Sequence, residues 1–239
     1  MEDYKDYLEL AGIKYVGCDM TSSAICMDKY LAHEIVSSNG YLSPISYLFN
    51  EKDSYEMIEN KIRNLHFPLF VKPLKAGSSF GITKIKTISE LKEALKEAFK
   101  YDNKVIIEEN VDGFEVGCAV LGTDKLIIGE VDEIELEDGF FDYFEKYNLK
   151  TSKIHLPARI SKEERERIKD TALAIYKILG CSGFARVDMF YTKDKKIVFN
   201  EVNTIPGCTS HSRYPSMLKE IGIPFEEVIE RLIELGWGK

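Results

Sequence analysis

Several kinds of protein are excluded by what this chain of 239 residues has little of. Its five cysteines, Cys18, Cys26, Cys118, Cys181 and Cys208, are odd in number and scattered, with no CxxC pair. Neither a disulfide framework nor a zinc ribbon is expected from them. No apolar run approaches the roughly 20 residues that span a bilayer. The opening MEDYKDYLEL is acidic and lacks a signal-peptide core, so a cytoplasmic protein is expected. Basic residues are the minority, 32 against 40 acidic, for a net charge of −8, and they form no phosphate-tracking stripe. Nucleic acid and membrane are therefore not expected partners. The pattern GxxxxGK[ST] is missing, which excludes a P-loop. No internal repeat or low-complexity linker is present.

With 44% hydrophobic residues, the chain can bury one large or two modest cores. Met27 to Ser38 reads as a short amphipathic helix with Asp28 at its start, and Ser54 to Leu65 as a second. His66 to Pro73 reads as a strand, followed by the loop Gly77-Ser78-Ser79-Phe80-Gly81 and a strand over Ile82 to Ile85. A helix is expected from Ser89 to about Lys100, then a strand over Val105 to Glu108. Strands are expected at Glu115 to Val120 and Lys125 to Val131, then a long functional loop over Asp138 to Lys153. Ser161 and Glu164 form a capping box that opens a helix to Leu179. Ala185 to Phe190 and Ile197 to Asn203 read as a hairpin, and a last helix covers about Phe225 to Leu235.

The chemistry is concentrated in that hairpin. Asp188 lies thirteen residues before Glu201, and Asn203 lies two beyond it. An extended backbone points Glu201 and Asn203 to one face and Val202 to the other. Three oxygen ligands on neighbouring strands suit a hard cation such as magnesium, which usually shares its sites with nucleotide phosphates. Lys72, on a strand, can neutralise phosphate. The glycines of the 77–81 loop allow close backbone approach, and its serines add hydroxyl donors.

In this order, the motifs resemble the ATP-grasp superfamily, and within it the D-alanine–D-alanine ligases and their D-alanine–D-serine relatives of vancomycin resistance. They are Cys26-Met27-Asp28-Lys29, Phe70-Val71-Lys72-Pro73, Gly77 to Ile82, Ile107-Glu108-Glu109-Asn110, Glu145-Lys146-Tyr147, Gly183 to Asp188 and Asn200 to Ser212. The resemblance covers nearly the whole chain. It implies an α+β fold, the ATP-grasp, with two α+β subdomains clasping ATP between their sheets, over residues 23–112 and 113–239. It also implies ATP, two Mg2+ (or Mn2+) ions, D-alanine and D-serine as ligands, and a reaction through an acyl phosphate for peptidoglycan precursor synthesis. A homodimer is compatible with it.

By position in that family, Lys29, Lys72, Ser79 and Lys146 would meet the phosphates. Glu108, Glu109 and Val111 match the segment that holds adenine, and Glu115 the ribose-binding acid. Asp188, Glu201 and Asn203 would hold the metal ions. Arg186, assisted by the Gly207 N–H, would face the developing oxyanion, with Ser78, Tyr147 and Ser212 around the substrates. Glu145-Lys146-Tyr147 resembles the loop of ligases with an amino-acid acceptor. Arg213 stands where the D-alanine–D-alanine pattern has leucine, so D-serine is the expected acceptor and D-alanine the alternative. Full-length members begin with a further glycine-rich domain that supplies an acid for the first substrate's ammonium. Residues 1–22 would be its remnant and linker, ligase turnover would be impaired, and an ATP-binding module without ligase activity is the alternative. His211 is expected to be structural and Cys208 a packing residue.

Overall fold

The computed structural model describes residues 3–77, 80–136 and 152–237. Three helices come first: α1 (Asp3–Leu10), α2 (Met20–Met27) and α3 (Lys29–Ser38). Asp19 accepts from the Ser22 N–H at 2.7 Å and so starts α2 inside the segment expected to be a linker. Asp28 caps α3 through the Leu31 N–H at 3.0 Å. The buried Lys5 donates to Cys18 O at 2.7 Å and Ser23 Oγ at 2.8 Å, which ties α1 to the start of α2.

The next segment folds as β1 (Ser46–Asn50), α4 (Tyr55–Ile62), β2 (Leu69–Pro73), β3 (Thr83–Ile85), α5 (Leu91–Ala98) and β4 (Lys104–Glu109). Its four strands form an antiparallel sheet in the order β1-β4-β2-β3. Leu91, Ala94, Leu95 and Ala98 recur at helical spacing and give α5 one buried face. That face and α4 pack on Phe49, Leu69, Val71, Ile85, Val105 and Ile107. Alternation along β2 and β4 then puts Lys72 and Glu108 on the opposite face.

The remainder supplies β5 (Gly113–Leu121), β6 (Ile127–Ile128), β7 (Asp132–Leu136), β8 (Ser152–His155), α6 (Lys162–Ile178), β9 (Phe184–Thr192), β10 (Ile197–Asn203), α7 (Arg213–Glu220) and α8 (Phe225–Trp237). The strands form a sheet in the order β10-β9-β5-β7-β8, with β6 on β5. α6 carries the expected capping box between Ser161 and Glu164. One face of this sheet buries Val116, Cys118, Val187, Met189 and Val202 under α2, α3 and α6. Thus α2 and α3 precede the smaller sheet in the chain yet bury Cys26, Ala32 and Val36 against the larger one. The other face is apolar at one end, where Ala119, Leu121 and Phe184 meet α7 and α8. At its other end it is polar.

α2, β1, β7, β8 and α7 were not expected; β8 takes the last two residues of the loop expected over 138–153, and the rest of that loop lies outside the described residues. β1 has a half-buried pattern without clean alternation, and α7 starts in the motif expected to be a substrate loop. Tyr214 anchors α7: it is fully buried, donates to Val120 O at 3.1 Å and stands edge-on to Phe184 at 5.8 Å. Such an aromatic pair contributes about 0.5–1.5 kcal/mol beyond its burial. The anchor fixes Arg213, its neighbour in sequence, over the polar end of the sheet.

Candidate active site

The polar end of the larger sheet is built by strand register. Gly117 of β5 lies opposite Asp132 of β7 on one side and Asp188 of β9 on the other, and Asp188 lies opposite Glu201 of β10. Directly opposed residues share a face, so one row across four strands reads Asp132, Gly117, Asp188, Glu201. The next row reads Ala119, Arg186, Asn203. A bulge between Phe199 and Glu201 sets the final turn of β10. The three expected cation ligands are therefore neighbours on one face, with Val202 buried behind them.

Two arginines hold this carboxylate field together. Arg186 is bidentate to Asp188, Nε to Oδ1 and Nη2 to Oδ2, both at 2.7 Å. Arg213 is bidentate to Asp132, Nε to Oδ2 at 2.7 Å and Nη2 to Oδ1 at 2.8 Å, and donates from Nη1 to Glu115 at 3.1 Å. Its Nη2 also lies 3.7 Å from Asp188 Oδ1. Burial works against the charge on Arg213, but the fields of Asp132, Asp188 and Glu115 outweigh it and hold the guanidinium pKa well above its ordinary value. Arg186 is likewise raised, burial opposing and Asp188 prevailing.

Gly117 is what lets these groups converge. A Cβ there would meet Arg213 Nη2 at 2.6 Å, Asp132 Oδ1 at 2.9 Å and Asp188 Oδ1 at 3.0 Å. Asp132 escaped the sequence reading. Its signal was the acid in Glu130-Val131-Asp132, indistinguishable there from a solvated strand end, whereas in the fold it is 1% exposed.

Asp132, Glu115, Asp188 and Glu201 bring four carboxylates to this face beside Arg186 and Arg213. Among the described residues no three of His, Cys, Asp and Glu converge as a closed cage. Asp188, Glu201 and the Asn203 amide are instead an open oxygen set, the kind magnesium completes with phosphate oxygens. The donors therefore fit the cation that the sequence suggested. Asn203 Oδ1 also accepts from the Ile205 N–H at 3.2 Å, which orients the amide.

The smaller sheet contributes the cationic side. Lys72 and Glu108, 8% and 2% exposed, form a buried ion pair on its open face. Lys72 and Lys84 also lie over the Phe70 ring, at 5.4 and 5.5 Å. Lys29, at the first turn of α3, donates from Nζ to Ala76 O at 2.9 Å, just ahead of the glycine-serine loop. The Glu109 carboxylate turns to His66, accepting from its N–H at 2.7 Å and contacting Nδ1 at 2.9 Å. The Glu109 side chain is thus engaged elsewhere, which leaves its backbone groups as what this residue can offer a base. Val111 is half-buried, and its carbonyl accepts from the Gly113 N–H at 2.9 Å.

In the turn before α7, Gly207 is exposed and Ser212 accepts from the Thr209 N–H at 3.2 Å. His211 is exposed, and burial pushes the Cys208 thiol up, away from nucleophilic character. Ser78, Ser79, Lys146 and Tyr147 lie outside the described residues.

Comparison with known proteins bears on this geometry. Residues 44–234 match the family described as D-ala D-ala ligase C-terminus. The vancomycin C-type resistance protein VanC2 of Enterococcus casseliflavus is 43% identical over 228 residues, 95% of this chain and 65% of its own length. The vancomycin/teicoplanin A-type resistance protein VanA of Enterococcus faecium is 47% identical over 232 residues, 95% of this chain and 66% of its own. The crystal structure of the VanG D-Ala:D-Ser ligase from Enterococcus faecalis superposes with a TM-score of 0.91 at 58% identity, covering 98% of this chain and 68% of that one. The chain spans about two thirds of the length of these relatives. Among the described residues no helix is long and apolar enough to cross a membrane.

Proposed function

Since the chain belongs to the D-alanine–D-alanine ligase family, with its ATP-grasp fold, we propose that it is an ATP-dependent ligase joining D-alanine to D-serine, with D-alanine as the alternative acceptor. The product would serve peptidoglycan precursor synthesis and, as in the vancomycin resistance relatives, drug resistance. The observation that carries the proposal is the carboxylate-amide row of Asp188, Glu201 and Asn203 on the larger sheet with Arg186 adjacent, together with the buried Lys72 on the smaller sheet and the buried Lys29 at the start of α3.

In the first step, a carboxylate oxygen of D-alanine bonds to the γ-phosphorus of ATP as the bond to the β-phosphate oxygen breaks, giving an acyl phosphate and ADP. Lys29 and Lys72 are point charges suited to the phosphates. Asp188, Glu201 and Asn203 would hold two Mg2+ (or Mn2+) ions, which when bound offset phosphate charge. In the second step, the acceptor amine attacks the acyl carbon, phosphate leaves, and the amine loses a proton. Arg186 and the Gly207 N–H would face the oxyanion of that tetrahedral carbon, and losing such a donor costs about 10²- to 10³-fold in rate. Lys146 and Tyr147 on the long loop, with Ser78, Ser79 and Ser212, would complete the enclosure.

The acceptor preference rests on Arg213. Asp132 and Glu115 take three of its five N–H groups and fix its plane, which leaves one on each terminal nitrogen for a hydroxyl. A preorganised donor of this kind discriminates a hydroxyl better than apolar volume does. The test is dipeptide formation and phosphate release by the purified chain with Mg-ATP, D-alanine and either acceptor. Dipeptide that requires D-serine and disappears in Glu201→Ala supports the proposal. Stabilisation by Mg-ATP without dipeptide would reduce it to an ATP-binding module, and the absence of both dipeptide and stabilisation would overturn it.

A further inference from the structure

The turn between α5 and β4 contributes no residue to the site described so far, yet two of its side chains, Tyr101 and Asp102, hold the chain on either side of the glycine-serine loop. Asp102 is half-buried, and its carboxylate accepts two backbone N–H groups, from Lys104 at 3.1 Å and from Lys75 at 2.9 Å. The first is the ordinary bond of an aspartate to its own turn. The second reaches across 27 residues. Beside it, the Leu74 N–H donates to the Lys104 carbonyl at 3.0 Å. The chain leaving β2 is therefore pinned to the start of β4 at two successive residues. The residue that follows is Ala76, whose carbonyl accepts from Lys29 Nζ at 2.9 Å. Bonds from a backbone N–H to a carboxylate are among the stronger hydrogen bonds. The ammonium of Lys29, a residue only 8% exposed, thus rests on a carbonyl one residue away from such a bond.

Tyr101 holds the other limb of the loop. Gly81 has a φ of +69°, and a Cβ there would meet Tyr101 Cδ2 at 2.5 Å and Pro73 Cγ at 2.8 Å, so its backbone lies directly against the phenol ring. The Phe80 ring tilts toward the same ring, with centroids 6.2 Å apart and planes at 31°. Phe80 also turns back on the entering limb, its N–H donating to Gly77 O at 3.3 Å. Tyr101 is 50% exposed and Phe80 43%. Rings left half in water contribute little to a core, so the consequence of this contact lies in where it sets the chain. A glycine-rich segment without such contacts samples many backbone conformations, which a ligand must restrict on binding.

We infer that Asp102 and Tyr101 are positioning residues for nucleotide binding: they hold the two limbs of the glycine-serine loop, and through Ala76 the Lys29 ammonium, in place for the phosphates. This rests on the proposed ATP site, and the experiment separates the two claims. Dissociation constants are measured for the whole chain with Mg-ATP and with adenosine, which keeps base and ribose and has no phosphate. Asp102→Ala is expected to weaken ATP about tenfold and Tyr101→Ala about three- to tenfold, with adenosine unchanged. Tyr101→Phe, which keeps the ring, should bind ATP as the parent does.

A double-variant cycle tests the route through Lys29. With Lys29→Ala already in place, Asp102→Ala should weaken ATP by a further factor of about two at most, because the group it positions is gone. Equal weakening of ATP and adenosine, an unchanged ATP constant in either single variant, or effects of Lys29→Ala and Asp102→Ala that multiply in full would overturn the inference and leave the ATP site standing. Failure of the unaltered protein to bind Mg-ATP would overturn both.

Discussion

Asp132→Asn is the most searching perturbation of this site, because it keeps shape and removes one charge. Asp132 is 1% exposed and supplies both oxygens of the bidentate clamp on Arg213. Removing one partner of a buried ion pair costs about 3–5 kcal/mol, since the other charge stays buried. The low end applies, because asparagine keeps one acceptor and Glu115 and Asp188 still face the guanidinium. About 3 kcal/mol corresponds to a fall in Tm of roughly 6–12 °C for a chain of this size. Thermal unfolding read by circular dichroism measures it. The companion variant Arg213→Met should be strongly destabilised alone, and the double variant Asp132→Asn/Arg213→Met should recover part of the loss, because neither charge is then stranded. If D-serine is the acceptor, the ratio of kcat/KM for D-serine over D-alanine should fall about tenfold or more in Asp132→Asn, as Arg213 loses its fixed plane. A Tm within about 2 °C of the parent together with unchanged acceptor preference would refute this account of Arg213.

Three further outcomes follow from the same geometry. Gly117→Ala forces a Cβ into a space where Arg213 and two carboxylate oxygens lie within 2.6–3.0 Å, and should cost about 1–3 kcal/mol in chemical denaturation. Glu201→Gln should abolish the Mg2+-dependent part of ATP stabilisation in a thermal shift assay. Hydrogen bonds from the Ser161 backbone, then Lys195 and Tyr191, lower the Glu164 pKa from its ordinary 4.5 to about 2. A depressed folded-state pKa means stability that is present above pH 4.5 and lost as pH falls toward 2. Glu164→Gln should therefore be less stable than the parent at pH 6, with the gap closing toward pH 2 in acid titration.

How much of this was legible in the sequence depends on how local each signal is. The hairpin of β9 and β10 was readable because its constraints lie within about twenty residues: alternation, a turn, and acids at period two. The α6 helix was readable for the same reason, as its capping box declares itself in four residues. β1 and α7 were not: β1 lacks clean alternation and α7 is a two-turn helix with no side-chain cap bond, and both owe their form to partners distant in sequence. Leu48 pairs with Ile106, and Tyr214 reaches Val120.

The same distinction governs the site. Lys72, Asp188, Glu201 and Asn203 stand in strands whose direction the sequence dictates, so their faces could be assigned in advance. The partners that define their electrostatics come from far along the chain: Arg213 meets Asp132 across 81 residues and Glu115 across 98. What brings them together is a glycine. Gly117 looks in the sequence like a weak point in a strand, and only the register, with Asp132 on one side and Asp188 on the other, shows that its missing side chain is the room in which the charges meet. Arg213 was read as a contact for the substrate alone, yet most of its donors are spent on carboxylates of the chain. Its remaining N–H groups gain their direction from those bonds. If Arg213 selects the acceptor, that preference belongs to Asp132, Glu115 and Gly117 as much as to the arginine itself, and a change at Asp132 or Gly117 should alter it without touching the substrate.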